Sequence, residues 1–224
     1  MKIFKRIVAL VILLAALPLS LISCNRRYDE DEVKAAAVKL ITASAELNQV
    51  YYGEGIRYLE NSSNNVSLYC EADPVDLERL GFSTIAELKA KTKEVFSEAH
   101  AETMFKGSFS GTFSQSGASN MARYYQKFDD NKANPKPVCI MVLSTYESLL
   151  KGDVTYDFDT LKVMGSDGEY VNATIEANVI YDGKTQKHTL NIRLIEEDSG
   201  WRLASTTFAK YNEYQDIYDE LQKG

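Results

Sequence analysis

Few residues in this chain could carry nucleophilic, acid/base or metal chemistry. It contains two histidines, His100 and His188, and three cysteines, Cys24, Cys70 and Cys139. A Cys/His pair would require Cys70 or Cys139 to lie beside a histidine, and Cys139 stands in an apolar run that is typical of a core thiol. The two histidines are far apart in the sequence and lack metal-ligand spacing. The sequence therefore predicts no catalytic set, no metal site and no cofactor, in a protein that is not an enzyme.

Paired carboxylates are the remaining candidates for acid/base chemistry. Asp157 and Asp159 are two residues apart and would share one face of a strand. Asp129-Asp130 and Glu196-Glu197-Asp198 fall at turns or strand ends, where charges are normally solvated. We interpret these residues as solvated surface charges rather than as general acids or bases.

Tyrosine is frequent in this chain, with 14 residues. Tyrosine is favoured at recognition surfaces because its ring offers a large contact area and its hydroxyl group a polar tip. Tyr51 and Tyr52 lie at a predicted helix end, Tyr124 and Tyr125 lie on a predicted strand, and these four are the candidates for a binding surface. Positions in the core or on a half-buried sheet are the alternative, and the sequence leaves both open.

Two helices are predicted in the amino-terminal half. Apolar residues recur at steps of three and four over residues 33–52, which predicts one long helix. Thr84 and Glu87 have the spacing of a capping box, and a second apolar face runs from there to about residue 105, with a break near His100 as the alternative. Residues 107–120 are rich in Ser and Gly and predict a surface loop.

Beyond residue 120 the apolar period changes from helical to strand-like. This predicts an antiparallel meander that ends in a short helix near Tyr211 to Leu221. The predicted fold class is α+β, with two amino-terminal helices packed on a curved antiparallel sheet of five or six strands and a short carboxyl-terminal helix. The strands are predicted over residues 122–128, 137–143, 154–163, 171–181, 190–194 and 201–205.

The amino terminus resembles a bacterial lipoprotein signal. Basic residues precede an apolar stretch, and the run Leu21-Ile22-Ser23-Cys24 places a small residue before a cysteine. The resemblance implies a signal peptide over residues 1–23, a lipid on Cys24 and a lipidated tether over residues 24–32. The remaining residues, 33–224, have the length of a single domain. The lipid bilayer is then one partner, at the outer face of the bacterial cytoplasmic membrane. An uncleaved membrane anchor and an ordinary secretory signal are the alternatives.

The charge balance narrows the range of other partners. Residues 1–23 hold three of the 25 Lys and Arg residues and none of the 32 Asp and Glu residues, so their removal leaves 22 basic against 32 acidic side chains. Such an acidic domain is repelled by other polyanions, and nucleic acid is therefore not an expected partner.

Export also bears on the two cysteines that remain when Cys24 carries a lipid. Cys70 and Cys139 would stand in a compartment that permits disulfides. They either form a disulfide with each other or are two buried thiols, since free cysteine is among the most buried residue types.

The order of helices and strands resembles the cystatin-like cone fold of nuclear transport factor and SnoaL-type domains. The likeness is strongest from the strand near Tyr170 to Gly200-Trp201-Arg202. It is a likeness of fold, and it implies a pocket for a small molecule, or for an enzymatic site of the SnoaL type, between helix and sheet.

A second resemblance is to the secreted DL-endopeptidase inhibitor family of Gram-positive bacteria. It is carried by residues 51–55, 83–89, 122–125 and 200–202. Members of that family bind and inhibit cysteine peptidases that trim peptidoglycan stems. The resemblance implies a non-catalytic protein-binding lipoprotein whose partner is a cell-wall hydrolase, and the small-molecule pocket is the alternative function.

Overall fold

The structure is a computed structural model that describes residues 28–60, 68–110, 121–150, 152–181 and 184–208. The signal peptide, Cys24 and the predicted closing helix lie outside these residues. The helices are α1 (Glu30–Tyr52), α2 (Pro74–Leu80), α3 (Ile85–Val95) and α4 (Glu98–Ser110). The strands are β1 (Tyr69–Glu71), β2 (Tyr124–Phe128), β3 (Pro137–Leu143), β4 (Asp153–Ser166), β5 (Tyr170–Tyr181), β6 (Lys184–Glu197) and β7 (Gly200–Leu203).

The long first helix is confirmed, and it begins three residues earlier than the predicted domain boundary. Asp29 caps α1, because its carboxylate accepts hydrogen bonds from the backbone amides of Asp31 and Glu32. Acidic residues 30–32 therefore form the first helical turn, where they meet the positive end of the helix dipole. The last three residues assigned to the tether belong to the helix.

The predicted second helix is two helices, and its start is confirmed. Thr84 and Glu87 form the capping box, and Glu87 also accepts a 2.6 Å hydrogen bond from the backbone amide of Ser83. These bonds, led by that from the Ser83 amide, lower the pKa of Glu87. The helix ends at Val95 because Phe96 is extended and bridges to Leu203 in β7, whose carbonyl accepts a hydrogen bond from the Ser97 amide. A single helix to residue 105 is therefore wrong, and the alternative with a break is correct, although the break lies a few residues before His100. The count of two amino-terminal helices is also wrong, because α2 was not predicted.

The α+β class is confirmed, but the strands form two antiparallel sheets rather than one sheet of five or six strands. The smaller sheet has the order β1-β3-β2, and the larger has the order β4-β5-β6-β7. The predicted hairpin of β2 and β3 does not extend the later meander. It pairs instead with β1, a strand some 70 residues earlier, through backbone bonds that local periodicity does not reveal.

The core lies between α1 and the four-stranded sheet. One face of α1 and the inward face of β5 and β6 are fully buried and belong to one apolar cluster. The larger sheet alternates buried and half-exposed residues along β5, as expected for a sheet with one covered face. This packing fixes α1 across the sheet and leaves its carboxyl-terminal end beside the start of β4. The buried set includes Val33, Ala37, Ile41, Val171, Ala173, Ile175, Ile192 and Leu194.

Candidate functional site

An open cleft lies at the carboxyl-terminal end of α1 and has a volume of about 1010 Å³. Its walls are the last turns of α1 over residues 45–50, the segment 54–60, the end of α2 and the start of β4. Phe208 closes the base, and its ring lies 5.1 Å from that of Tyr52. The cleft therefore lies where four separate parts of the chain meet. Because these parts are distant from one another in the sequence, no short motif predicts the cleft.

Carboxylates dominate the charge around the cleft. Glu54, Glu60 and Asp153 are exposed on its walls. In the described part of the chain, none of the three has a Lys or Arg nitrogen within ion-pair distance. Arg79, by contrast, is neutralised by Asp76, with a contact of 2.8 Å between Nη2 and Oδ1. Arg57 also lines the cleft and is exposed, so these three carboxylates face one such arginine and leave an excess of negative charge that favours cations.

The deeper wall carries a buried polar network. The amide nitrogen of Asn48 donates to Thr207 Oγ1 at 2.7 Å, and Ser44 Oγ lies 2.6 Å from the same hydroxyl oxygen. Tyr156 Oη donates to the carbonyl oxygen of Thr207 at 2.9 Å, and burial raises the pKa of this phenol. The network ties α1 and β4 to the segment after β7. One acceptor of this network is unpaired: Asn48 Oδ1 is buried and has no hydrogen-bond partner among the described residues.

Two side chains of the smaller sheet hold the wall formed by residues 53–56. Arg123 is buried, donates from Nη2 to the Gly53 carbonyl at 2.7 Å and stacks 3.8 Å from the ring centroid of Tyr146. Tyr124 Oη donates to the Val50 carbonyl at 2.7 Å and accepts from the Ile56 amide at 3.1 Å. The bonds to the Gly53 and Val50 carbonyls satisfy backbone groups at the end of α1, where a helix leaves carbonyls unpaired and carries negative partial charge.

We call Arg123, Tyr124 and the segment 53–56 that they hold the clamp. Gly55 is the residue of that segment that comes closest to the two side chains. Its backbone has φ of +86°, and a Cβ placed there would lie 2.3 Å from Arg123 Nη2 and 2.5 Å from Tyr124 Oη. Glycine is required by both the conformation and the space. The shape of the cleft wall thus depends on Gly55, which follows α1, and on Arg123 and Tyr124 at the start of β2.

The predicted tyrosine surface is wrong for three of its four members. Tyr51, Tyr52 and Tyr124 are between 0 and 3% exposed, whereas Tyr125 is 41% exposed. Burial raises the pKa of Tyr51 and Tyr52 well above the usual range, and Tyr51 shares a 2.8 Å hydrogen bond with Thr92. The core alternative explains these residues, because each buried ring packs against apolar neighbours while its hydroxyl group can find a polar partner. Tyr125 instead packs edge to face on Tyr69, with ring centroids 4.8 Å apart.

The two described cysteines are free, so the disulfide interpretation was wrong. Cys70 on β1 is paired with Val142 on β3, and Cys139 lies three residues before Val142 in the same strand. Three residues separate them by about 10 Å along the strand and place them on opposite faces of the sheet. Burial, then the nearby Glu71 carboxylate, raises the pKa of Cys139, which disfavours the reactive thiolate. Cys24 lies outside the described residues.

The other candidate chemical groups are also dispersed. His100 is on α4, with its ring centroid 5.2 Å from that of Phe96, and His188 is on β6, where burial lowers its pKa. Asp157 pairs across the sheet with Glu176, in the region where β4 bulges. Within the described residues no three His, Cys, Asp or Glu side chains form a group that could hold a metal ion.

The four sequence segments that carried the inhibitor-family resemblance have structural roles here. Residues 51–55 and 122–125 form the clamp beside the cleft, and 83–89 contain the α3 capping box. In the last segment, Trp201 Nε1 donates to Glu32 at 3.1 Å and Arg202 Nε donates to the Lys93 carbonyl at 2.9 Å. Sequence reasoning missed Asn48, Thr207 and the buried state of Arg123. Gly55 beside a helix end was the one signal that could have located the clamp.

A comparison with known protein families and with curated proteins finds no match for this chain. Among the helices of the described residues, none combines the length and the apolar character that crossing a membrane requires.

Proposed function

We propose that this chain is a lipid-anchored extracytoplasmic protein that serves as a non-catalytic protein-binding domain, with the cleft at the end of α1 as its binding site. The observation that carries the proposal is the cleft itself, a concavity of about 1010 Å³ whose exposed carboxylates are not neutralised by neighbouring cations. Unpaired surface charge around a concavity provides electrostatic complementarity to a partner of opposite sign and accelerates their encounter. A macromolecule is a suitable partner because the cleft is open along one side.

The proposed location, outside the cell and anchored by a lipid, rests on the amino-terminal sequence. The run that ends in Cys24 has the order of a lipoprotein signal, and a lipid there would hold an acidic domain beside an anionic membrane. The resemblance to DL-endopeptidase inhibitors supports a specific version of the function, in which the partner is a cell-wall hydrolase and binding slows it. The cone-fold resemblance supports a single α+β unit, which begins with α1 at residue 30.

Two measurements test this proposal. The full chain, solubilised in a non-ionic detergent, is added to the purified cell-wall endopeptidases of the source organism, and both complex formation and cleavage of peptidoglycan stems are followed. We expect binding to at least one enzyme and slower cleavage. Inhibition fails as a function if cleavage is unaffected in every case, and protein binding fails if no complex forms with any exported protein.

The lipid anchor has its own test. Membranes are separated from the soluble fraction of cells that express either the wild-type chain or Cys24→Ser. We expect the wild-type chain in the membrane fraction, with an increase in mass from acylation, and the variant unacylated. An identical mass shift in both chains would refute the role of Cys24.

The cleft volume also favours the alternative function, because it lies near the upper end of the range for small-molecule sites. In that version the domain holds a soluble ligand at the cell surface. A thermal shift produced by a small neutral metabolite, with no effect of any exported protein, would favour this alternative.

A further inference from the structure

We infer that the cleft takes a cationic peptide segment, one that presents lysine or arginine side chains and free backbone N–H groups. This inference rests on the proposed protein-binding function and adds the chemistry of the partner. Three separate features of the cleft support it: its unpaired carboxylates, an unused buried acceptor and an exposed aromatic ring.

The carboxylates set the sign of the ligand's charge. Glu54 and Glu60 lie on the segment that follows α1, and Asp153 begins β4 on the opposite wall. Two arginines also line the cleft. Arg79 is already paired with Asp76, which leaves the exposed Arg57 as one positive charge against the three carboxylates. A chain with several positive charges can contact both walls at once, whereas a single cation can contact only one.

The unused acceptor indicates a ligand that carries hydrogen-bond donors. Asn48 is 1% exposed and lines the cleft, and its Oδ1 has no partner while its Nδ2 is engaged with Thr207. A buried acceptor without a donor costs roughly 1–3 kcal/mol, so buried polar groups are nearly always paired. The backbone N–H of a bound peptide can supply the missing donor once the Asn48 side chain turns its buried Oδ1 toward the cleft.

The exposed ring suits the side chains of such a peptide. Tyr58 lines the cleft and is 36% exposed, and its neighbour Leu59 is 43% exposed. A lysine or arginine side chain can place its charged end over the ring of Tyr58 while its methylene stem covers apolar surface. The volume of about 1010 Å³ accommodates a segment of several residues rather than one side chain.

The test uses the full chain in non-ionic detergent and a fluorescently labelled pentalysine peptide as the probe, with pentaglutamate and spermidine for comparison. We expect pentalysine to bind, to bind more weakly at high salt, and to exceed spermidine in affinity because spermidine lacks peptide groups. The double variant Glu54→Lys/Asp153→Lys should bind the probe about tenfold more weakly, since exposed charge pairs contribute modestly each. The matched control is Asp130→Lys/Glu169→Lys, which changes net charge equally at exposed sites outside the cleft.

A second pair of variants tests the ring without changing charge. Tyr58→Ala should weaken pentalysine binding about threefold, in line with a cation–π contact at an exposed site. Tyr125→Ala, an equally exposed tyrosine outside the cleft, should leave it unchanged. Unchanged melting temperatures confirm that each variant folds.

The outcomes separate this inference from the function on which it rests. Equal loss in the cleft and control charge variants would overturn the inference, because attraction would then depend on net charge alone. Spermidine binding as tightly as pentalysine would also overturn it. If an exported protein partner binds wild type and the cleft variant equally, protein binding stands and the cleft assignment fails. If pentalysine binds in the cleft but no protein partner is found, the site chemistry stands and the proposed function fails.

Discussion

Gly55→Ala is the substitution that most directly tests the clamp between α1 and the smaller sheet. Alanine at a φ of +86° costs roughly 1–2 kcal/mol in backbone strain. Its Cβ would also stand 2.3 Å from Arg123 Nη2 and 2.5 Å from Tyr124 Oη. Neither atom can move freely, because Arg123 is stacked on Tyr146 and bonded to a helix carbonyl, and Tyr124 Oη holds two backbone groups. Loss of the charged hydrogen bond adds roughly 1.5–3 kcal/mol.

We therefore expect Gly55→Ala to lower the free energy of unfolding by about 3–5 kcal/mol. Gly168→Ala is the matched control, because Gly168 also has a positive φ, +101°, but no atom lies within 4 Å of an added Cβ. Its free energy of unfolding should fall only by the backbone strain, about 1–2 kcal/mol. Urea denaturation followed by tryptophan fluorescence measures both values. Equal losses in the two variants would refute the clamp, since strain alone would then account for the effect.

Three further outcomes follow from the described contacts. Thr207→Val should destabilise the fold by about 2 kcal/mol in urea denaturation, because it leaves buried polar partners unpaired, whereas exposed Thr189→Val should change stability little. Alkylation followed by mass spectrometry without reductant should modify half-buried Cys139 before buried Cys70, and a linked pair would contradict the sheet register. The pKa of Glu87 is lowered by folding, so its stabilising effect is present above the ordinary glutamate pKa and is lost as pH falls through roughly 5 to 3. The difference in stability between wild type and Glu87→Gln should shrink over that range, and a constant difference would exclude the carboxylate as its source.

The starts of α1 and α3 and most strands could be predicted because their signals are local. Residues 33–52 repeat their apolar positions with the helical period, and α1 buries that face. The capping box of Thr84 and Glu87 forms as its spacing indicates. The alternation from residue 171 onward appears as β5, whose alternate residues are buried. These signals arise from hydrogen bonds and side-chain directions within a few residues of each other.

The errors concern features that depend on distant partners. The end of α3 at Val95 is set by pairing with Leu203, more than 100 residues away. The separation of the strands into two sheets depends on β1, which pairs with β3 across α2, α3 and α4. Composition could not place Tyr51, Tyr52 and Tyr124 inside the molecule, because tyrosine suits a core and a binding surface equally well.

The sequence by itself determined the α+β class, the position of the long first helix, the strand-rich carboxyl half and the acidic balance of the chain, because each is a property of composition or of short-range periodicity. Only the tertiary structure decided where a site could form. The cleft exists because the end of α1, the start of β4 and the segment around Thr207 converge, and because Arg123 and Tyr124 hold Gly55 in place. Each of these contacts joins residues at least 50 positions apart, and such convergence is set by packing rather than by any local pattern.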